Sequence, residues 1–114
     1  MRLRVRRHPL ATKELEDEAV WYELKQPGLG DDFLTYAQRA LNDVLTNPRS
    51  WQKIQDWSGK PVLRSRGFTK FPFRLVYYTK GKKLNIIAYA HTSRKPNYWQ
   101  DRVKDGADWD KIRP

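Results

Sequence analysis

Between Phe71 and His91 the chain spells out two strands and the turn that joins them, and no other stretch restricts the fold as much. Phe71 to Thr79 is rich in aromatic and β-branched residues, Lys80-Gly81-Lys82 is a turn, and Leu84 to His91 runs back. Such residues pack well on a pleated surface, and a short Gly-containing turn joins antiparallel neighbours. Strict alternation places Leu84, Ile86, Ala88 and Ala90 on one face and Ile87, Tyr89 and His91 on the other. Both faces are largely apolar, which predicts a central strand. The segment then enters a loop carrying Arg94, Lys95, Tyr98 and Trp99. A rigid platform thus ends in cationic and aromatic side chains, which suit an anionic or polar target.

The residues before this hairpin supply its cover. Arg2 to Arg7 alternates basic and apolar residues, so Leu3 and Val5 face a core while Arg2, Arg4 and Arg6 face water. This reads as an edge strand, where a row of Arg also discourages edge-to-edge association. Pro9 ends it. Thr12 is the expected cap of a first helix, with Glu14 to Glu18 in the turns where the helix dipole favours negative charge. Leu15, Ala19 and Tyr22 share a face of that helix, with Trp21 and Leu24 beside them, and Pro27-Gly28 stops it. A second helix is expected from Gly30-Asp31, capped by Asp31 or Asp32. Its stripe is Phe33, Ala37, Leu41, Val44 and Leu45, widened by Leu34, and Asn47-Pro48 closes it. The short Pro-Gly-Leu-Gly link makes the two an antiparallel helical hairpin. Residues 49–61 read as loop, Val62 to Phe68 as a short strand, and Pro96 to Arg102 as a turn or short helix. The order β-α-α-β-β-β predicts an α+β fold: an N-terminal strand, a helical hairpin, then a mainly antiparallel three-stranded meander. One domain over residues 1–102 with a polar tail over 103–114 follows.

The chain has 114 residues and 15 aromatic ones, enough for one core. Its formal charge is +10, unevenly spread: residues 1–10 carry +4, 11–30 carry −3 and 51–114 carry +10. Such a field favours nucleic acid, a ribosome or an acidic protein, although a basic soluble surface accounts for it equally. Cysteine is absent, so disulfides and thiolate metal sites are excluded. No apolar run approaches a membrane span, and a cytoplasmic location is expected.

Two constellations bear on chemistry. Arg64, Arg66, Lys70 and Arg74, followed by Arg94 and Lys95, form the cationic one. Arg64 and Arg66 share a strand face, and an antiparallel neighbour would bring Arg74 close, making a phosphate site of guanidinium forks. The alternative is a solvated face with each Arg spread over an aromatic neighbour. The other constellation is His91 with Tyr98. Cleavage of RNA through the 2′-hydroxyl needs a base, an acid and cations, which His91, Tyr98 and the arginines would supply. The alternative gives His91 a backbone partner and makes Tyr98 an anchor for the C-terminal segment. His8, before Pro9, carries no specific signal. Trp21 is expected under the helices, Trp51 and Trp57 closing the core beneath a loop, and Trp109 at a partner contact. No phosphate loop, nucleophile elbow or metal-spaced cluster is present, so no metal or cofactor is expected.

The ordered set Ala19-Val-Trp-Tyr-Glu23, Pro27-Gly-Leu-Gly30, Phe33-Leu34, Asn47-Pro48, Arg64, Phe71 to Tyr77, and Ile86 to His91 with Arg94, Pro96 and Tyr98-Trp99 resembles the ParE/RelE superfamily. These are toxins of type II toxin–antitoxin modules, often called plasmid stabilisation proteins. The resemblance implies an acidic cognate antitoxin that wraps and silences the chain. Its RelE-like branch cleaves mRNA on the ribosome with Lys, Arg and a C-terminal Tyr, or a Glu/His variant; its ParE-like branch inhibits DNA gyrase. Arg64 and Arg74 resemble RelE-branch arginines, the lysines of that branch are unmatched, and no Glu follows Glu23. His91 to Pro96 with Tyr98-Trp99 is closer to the ParE-like side. The expectation is therefore a ParE-like gyrase inhibitor. A RelE-like endoribonuclease using Arg74, His91 and Tyr98, with Arg64, Arg66, Lys70, Arg94 and Lys95 on RNA, is the first alternative. A non-toxic basic RNA- or protein-binding module is the second.

Overall fold

The computed structural model describes residues 3–104 and Trp109. Strand β1 (Arg4–Arg7) leads into helices α1 (Pro9–Lys25) and α2 (Leu29–Thr46). Strands β2 (Gln52–Lys53), β3 (Arg64–Gly67), β4 (Phe73–Lys80) and β5 (Lys83–His91) follow, and helix α3 (Gln100–Lys104) comes last. The strands form one five-stranded sheet in the order β1-β5-β4-β3-β2. The β3-β4-β5 meander is antiparallel as expected, and β1 adds to its edge in parallel with β5. The helical hairpin covers one face of this α+β sheet.

Helix α2 is the more amphipathic of the pair. Ala37, Ala40, Leu41 and Val44 are buried against Leu75, Tyr77, Leu84, Ile86 and Tyr89, and Phe33 is buried beside them. Each large side chain removed from water there contributes about 2 kcal/mol. Phe33 is the hub, with Tyr22, Phe68, Phe71 and Phe73 all in ring contact. Gly30 is small because α1 crosses there: an added Cβ would lie 2.5 Å from the Ala19 carbonyl oxygen. Helix α1 behaves differently from the expectation. Trp21 is 51% and Leu24 81% exposed, so neither packs under the helices, and Leu34 of α2 is 40% exposed. Trp21 instead rests on Tyr22 and under the Lys25 ammonium.

The helix starts also correct the sequence reading. His8, not Thr12, caps α1: its Nδ1 accepts from the Leu10 N–H at 3.1 Å, and Pro9 fills the position where no N–H is needed. With the start moved back, Glu14 falls outside the first turn. Neither Asp31 nor Asp32 caps α2. Gly28 does, at φ 89, a left-handed backbone that glycine adopts without strain, while the Glu23 carboxylate reaches back to the Gly28 and Gly30 N–H groups.

Strand β5 departs from strict alternation. Val76 pairs with Ala88 and Tyr77 with Ile86, leaving Ile87 as the extra residue of a bulge. Leu84 and Ile86 face the helices, Ile87 and Ala88 both turn to the opposite face, and Tyr89 returns to the helix side. Ile87 thus lies opposite Leu84 and Ile86 as expected, while the predicted sides of Ala88, Tyr89 and Ala90 are reversed. The second face has its own core of Leu63, Val76, Tyr78, Ile87, Ala88, Trp99 and Trp109. Trp109, expected at a partner contact, is 1% exposed. Its indole donates to the Arg102 carbonyl oxygen and meets the rings of His8 and Tyr78. The remainder of residues 105–114 lies outside the described residues. No helix among the described residues is long and apolar enough to cross a membrane.

Candidate functional site

The sheet face opposite the helical hairpin ends, beside the β3–β4–β5 termini, in a cleft of about 180 Å³. Arg74, His91, Arg94, Lys95 and Tyr98 line it, with Ser65 on its floor. Five of the eight residues singled out from the sequence thus meet here, carried by two strands and the loop after β5.

The three arginines expected to converge do not. Alternation on β3 and the register with β4 put Arg64 and Arg66 on the helix side with Leu75 and Tyr77, and Arg74 on the opposite side with Val76. Arg64 donates to the Trp51 carbonyl oxygen at 2.9 Å. Arg66 pairs with Asp43 at 3.0 Å and lies 4.5 Å over the Trp51 ring, while Lys70 pairs with Asp32 at 2.8 Å. Arg66 is thus spread over an aromatic neighbour, whereas Arg64 is held by a backbone carbonyl and Lys70 by a carboxylate. Trp51 and Trp57 close the two cores, their indoles donating to the Asp43 and Pro61 carbonyl oxygens.

Arg74 is held flat across β3. Its Nε donates to the Ser65 hydroxyl at 2.9 Å, and an added Cβ on the facing Gly67 would lie 2.8 Å from Nη1. Glycine is what lets the guanidinium lie there. Burial lowers the Arg74 pKa, and the Arg66 charge lowers it further; the group nonetheless stays cationic at neutral pH. His91 closes the helix side of the cleft. Its ring meets Phe73 edge-on at 4.9 Å, and its Nδ1 accepts from the Ser93 N–H at 3.0 Å.

Tyr98 is already engaged. Its hydroxyl donates to Glu14 Oε2, and the guanidinium groups of Arg94 and Arg102 lie 4.1 Å and 5.2 Å from its ring centre. Burial first, then the hydrogen bond to Glu14, push its pKa far above that of an ordinary phenol. A phenol so placed is a poor base. Glu14 is the residue that sequence reasoning passed over. Strand β1 flanks β5 only as far as Ile86, so among the described residues the β5 backbone beyond it has no strand neighbour on that side. Glu14 Oε1 accepts from the Tyr89 N–H at 3.2 Å, and Arg102 donates to the Ile87 carbonyl oxygen at 3.1 Å and to Glu14 at 2.8 Å. An ion pair thus completes the edge that β1 leaves open and ties α3 to α1. The signal was slight: Glu14 adjoins Leu15 and lies three residues after Ala11, on the inward side of the helix. Among the described residues no group of three or more His, Cys, Asp or Glu is placed to hold a metal ion.

No family model and no curated protein matches the chain. Among solved structures it is similar to a chain of the chromosomal ParDE TA system from P. aeruginosa, with a TM-score of 0.68 and 13% sequence identity. The match covers 80% of this chain and 97% of that one. The two share a fold, and it is the α+β fold of the ParE/RelE kind that the sequence led us to expect.

Proposed function

We propose that the chain is a toxin of a type II toxin–antitoxin module, of the ParE-like kind, held silent by an acidic cognate antitoxin and directed at DNA gyrase. The shared fold, running through nearly the whole of the ParDE chain, carries this reading. A charge of +10 suits an acidic partner. A cytoplasmic location goes with the same reading. The state of Tyr98 supports an inhibitor over a nuclease, because its hydroxyl is committed to Glu14 and its proton is held tightly.

One observation favours a second reading. The cleft gathers Arg74, His91, Arg94 and Lys95, so a phosphate in it would meet several cations beside an imidazole. That arrangement serves a ribosome-dependent endoribonuclease, with His91 as the proton carrier and Arg74 on the developing charge.

Controlled expression in a bacterial host tests both. The proposal expects growth arrest, filamentation and DNA breaks without transcript cleavage, and loss of gyrase supercoiling activity when purified protein is added. Co-expression of a small acidic product from the neighbouring reading frame is expected to restore growth. Transcript cleavage abolished by Arg74→Ala, with the fold intact, would replace the first reading by the second. Expression that does no harm would remove both.

A further inference from the structure

We infer a second functional surface, at the opposite end of the sheet: the β4–β5 tip, with β1 beside it, docks on the phosphate backbone of duplex DNA. Lys80 lies directly across the hairpin from Lys83, and Arg4 lies beside Lys83 in the parallel pair. Residues in register on neighbouring strands project from the same face, so these cations form a row, with Lys82 in the turn beyond it. At ~4.8 Å between strands, the row spans roughly 10 Å. All four residues are exposed, and none has a carboxylate partner among the described residues.

Stability gives no reason for this arrangement. Like charges placed directly opposite in a sheet are destabilising, and here two such pairs adjoin. The turn itself asks only for Gly81, which has φ 59; position 82 and the flanking strand ends accept polar neutral residues as readily. The chain therefore bears a repulsion that a polyanion would relieve. The chemistry of the tip narrows which one. It offers point charges, which grip phosphate, and among the described residues no exposed aromatic ring for stacking unpaired bases, so a duplex fits it better than a single strand. Backbone contact with duplex DNA fits that inventory. Along the nine residues of β5 the tip lies roughly 26 Å from the cleft, so the two surfaces can be altered separately. The inference does not depend on the toxin reading.

Fluorescence anisotropy of the full chain with a labelled duplex DNA of about 20 base pairs, titrated with salt, tests it. Replacing three phosphate contacts by K80Q/K82Q/K83Q is expected to reduce the slope of log affinity against log salt by ~2–3. Affinity near 0.1 M salt should fall about tenfold or more. The control R49Q/K53Q/K60Q removes the same charge from exposed positions elsewhere and is expected to lose much less. Equal losses in the two variants would mean that net charge alone acts, and would overturn the inference. So would an unchanged slope in the tip variant, duplex RNA bound as tightly with the same dependence on the tip, or polyglutamate bound in preference to DNA. The tip variant should fold as well as the parent or slightly better, which circular dichroism and thermal melting will check.

Discussion

Removing the Glu14 carboxylate should cost more stability than any other single change at a polar position near the cleft. The Glu14 and Arg102 side chains are only 16% and 12% exposed, and their contact is two-pronged, at 2.8 and 3.1 Å. Glu14→Ala would leave the Arg102 guanidinium buried without its counter-charge, which costs about 3–5 kcal/mol. It would also strip the acceptor from the Tyr98 hydroxyl and the Tyr89 N–H, each worth about 1 kcal/mol. These terms overlap, so a total near ~4 kcal/mol is expected, a large part of the ~5–15 kcal/mol that holds a typical domain. In urea unfolding, with m of ~1.5 kcal/mol/M, the midpoint should fall by roughly 2–3 M. Glu14→Gln keeps an acceptor and should lose about half as much. Arg102→Ala on the Glu14→Ala background should add little, giving a coupling energy of ~2 kcal/mol or more in the double-mutant cycle. A loss under ~1 kcal/mol for Glu14→Ala, or strictly additive single losses, would refute the idea that this pair completes the β5 edge.

Gly67→Ala brings a methyl group to 2.8 Å from Arg74 Nη1, so the guanidinium must leave its seat. Because a flexible side chain can yield, stability should fall by only ~1 kcal/mol, while any growth defect that depends on Arg74 falls in parallel; unchanged toxicity alongside an inactive Arg74→Ala would contradict it. Leu24→Lys and Trp21→Ser, on the exposed side of α1, should leave the thermal midpoint within the effect of ~0.5 kcal/mol. Phe33→Ala should cost about 3–5 kcal/mol by the same measurement. Burial pushes the Tyr77 pKa up to about 12, with Arg64 opposing. The folded state thus holds that proton more tightly than the unfolded state does. Its contribution is complete below pH ~10 and declines as pH rises toward about 12. Unfolding curves between neutral pH and that limit should show the decline, and Tyr77→Phe should reduce it while forfeiting the ~1 kcal/mol hydrogen bond to the Pro48 carbonyl oxygen.

Local pattern carried the element order, because helical spacing from Phe33 to Val44 and the aromatic-rich run from Phe73 to Lys80 are signals that tertiary packing reinforces. It failed where the outcome depended on a distant neighbour. Nothing between His8 and Thr12 says that an imidazole will cap α1. Trp21 and Leu24 look like core until the width of the hairpin's buried stripe is known. The placement of Arg74 opposite Arg64 and Arg66 depended on cross-strand register, which no spacing within β3 reveals. The pairing of Glu14 with Arg102 joins residues 88 apart in sequence, and its cause, a short β1 beside a long β5, is a property of two strand lengths together.

The bulge at Ile87 sets the phase of everything that follows it on β5. Were Ile87 drawn into regular alternation instead, Leu84 and Ile86 would stay beneath α2 but Tyr89 and Ala90 would swap sides, carrying the phenol ring out of the helical core and the methyl group into it. His91 would leave Phe73, and the loop bearing Arg94 and Lys95 would start from the wrong side of the sheet. A β5 that kept Ile87 without the bulge would fold the first half of this molecule and misdirect the second, so the bulge works as a parity condition on the cleft.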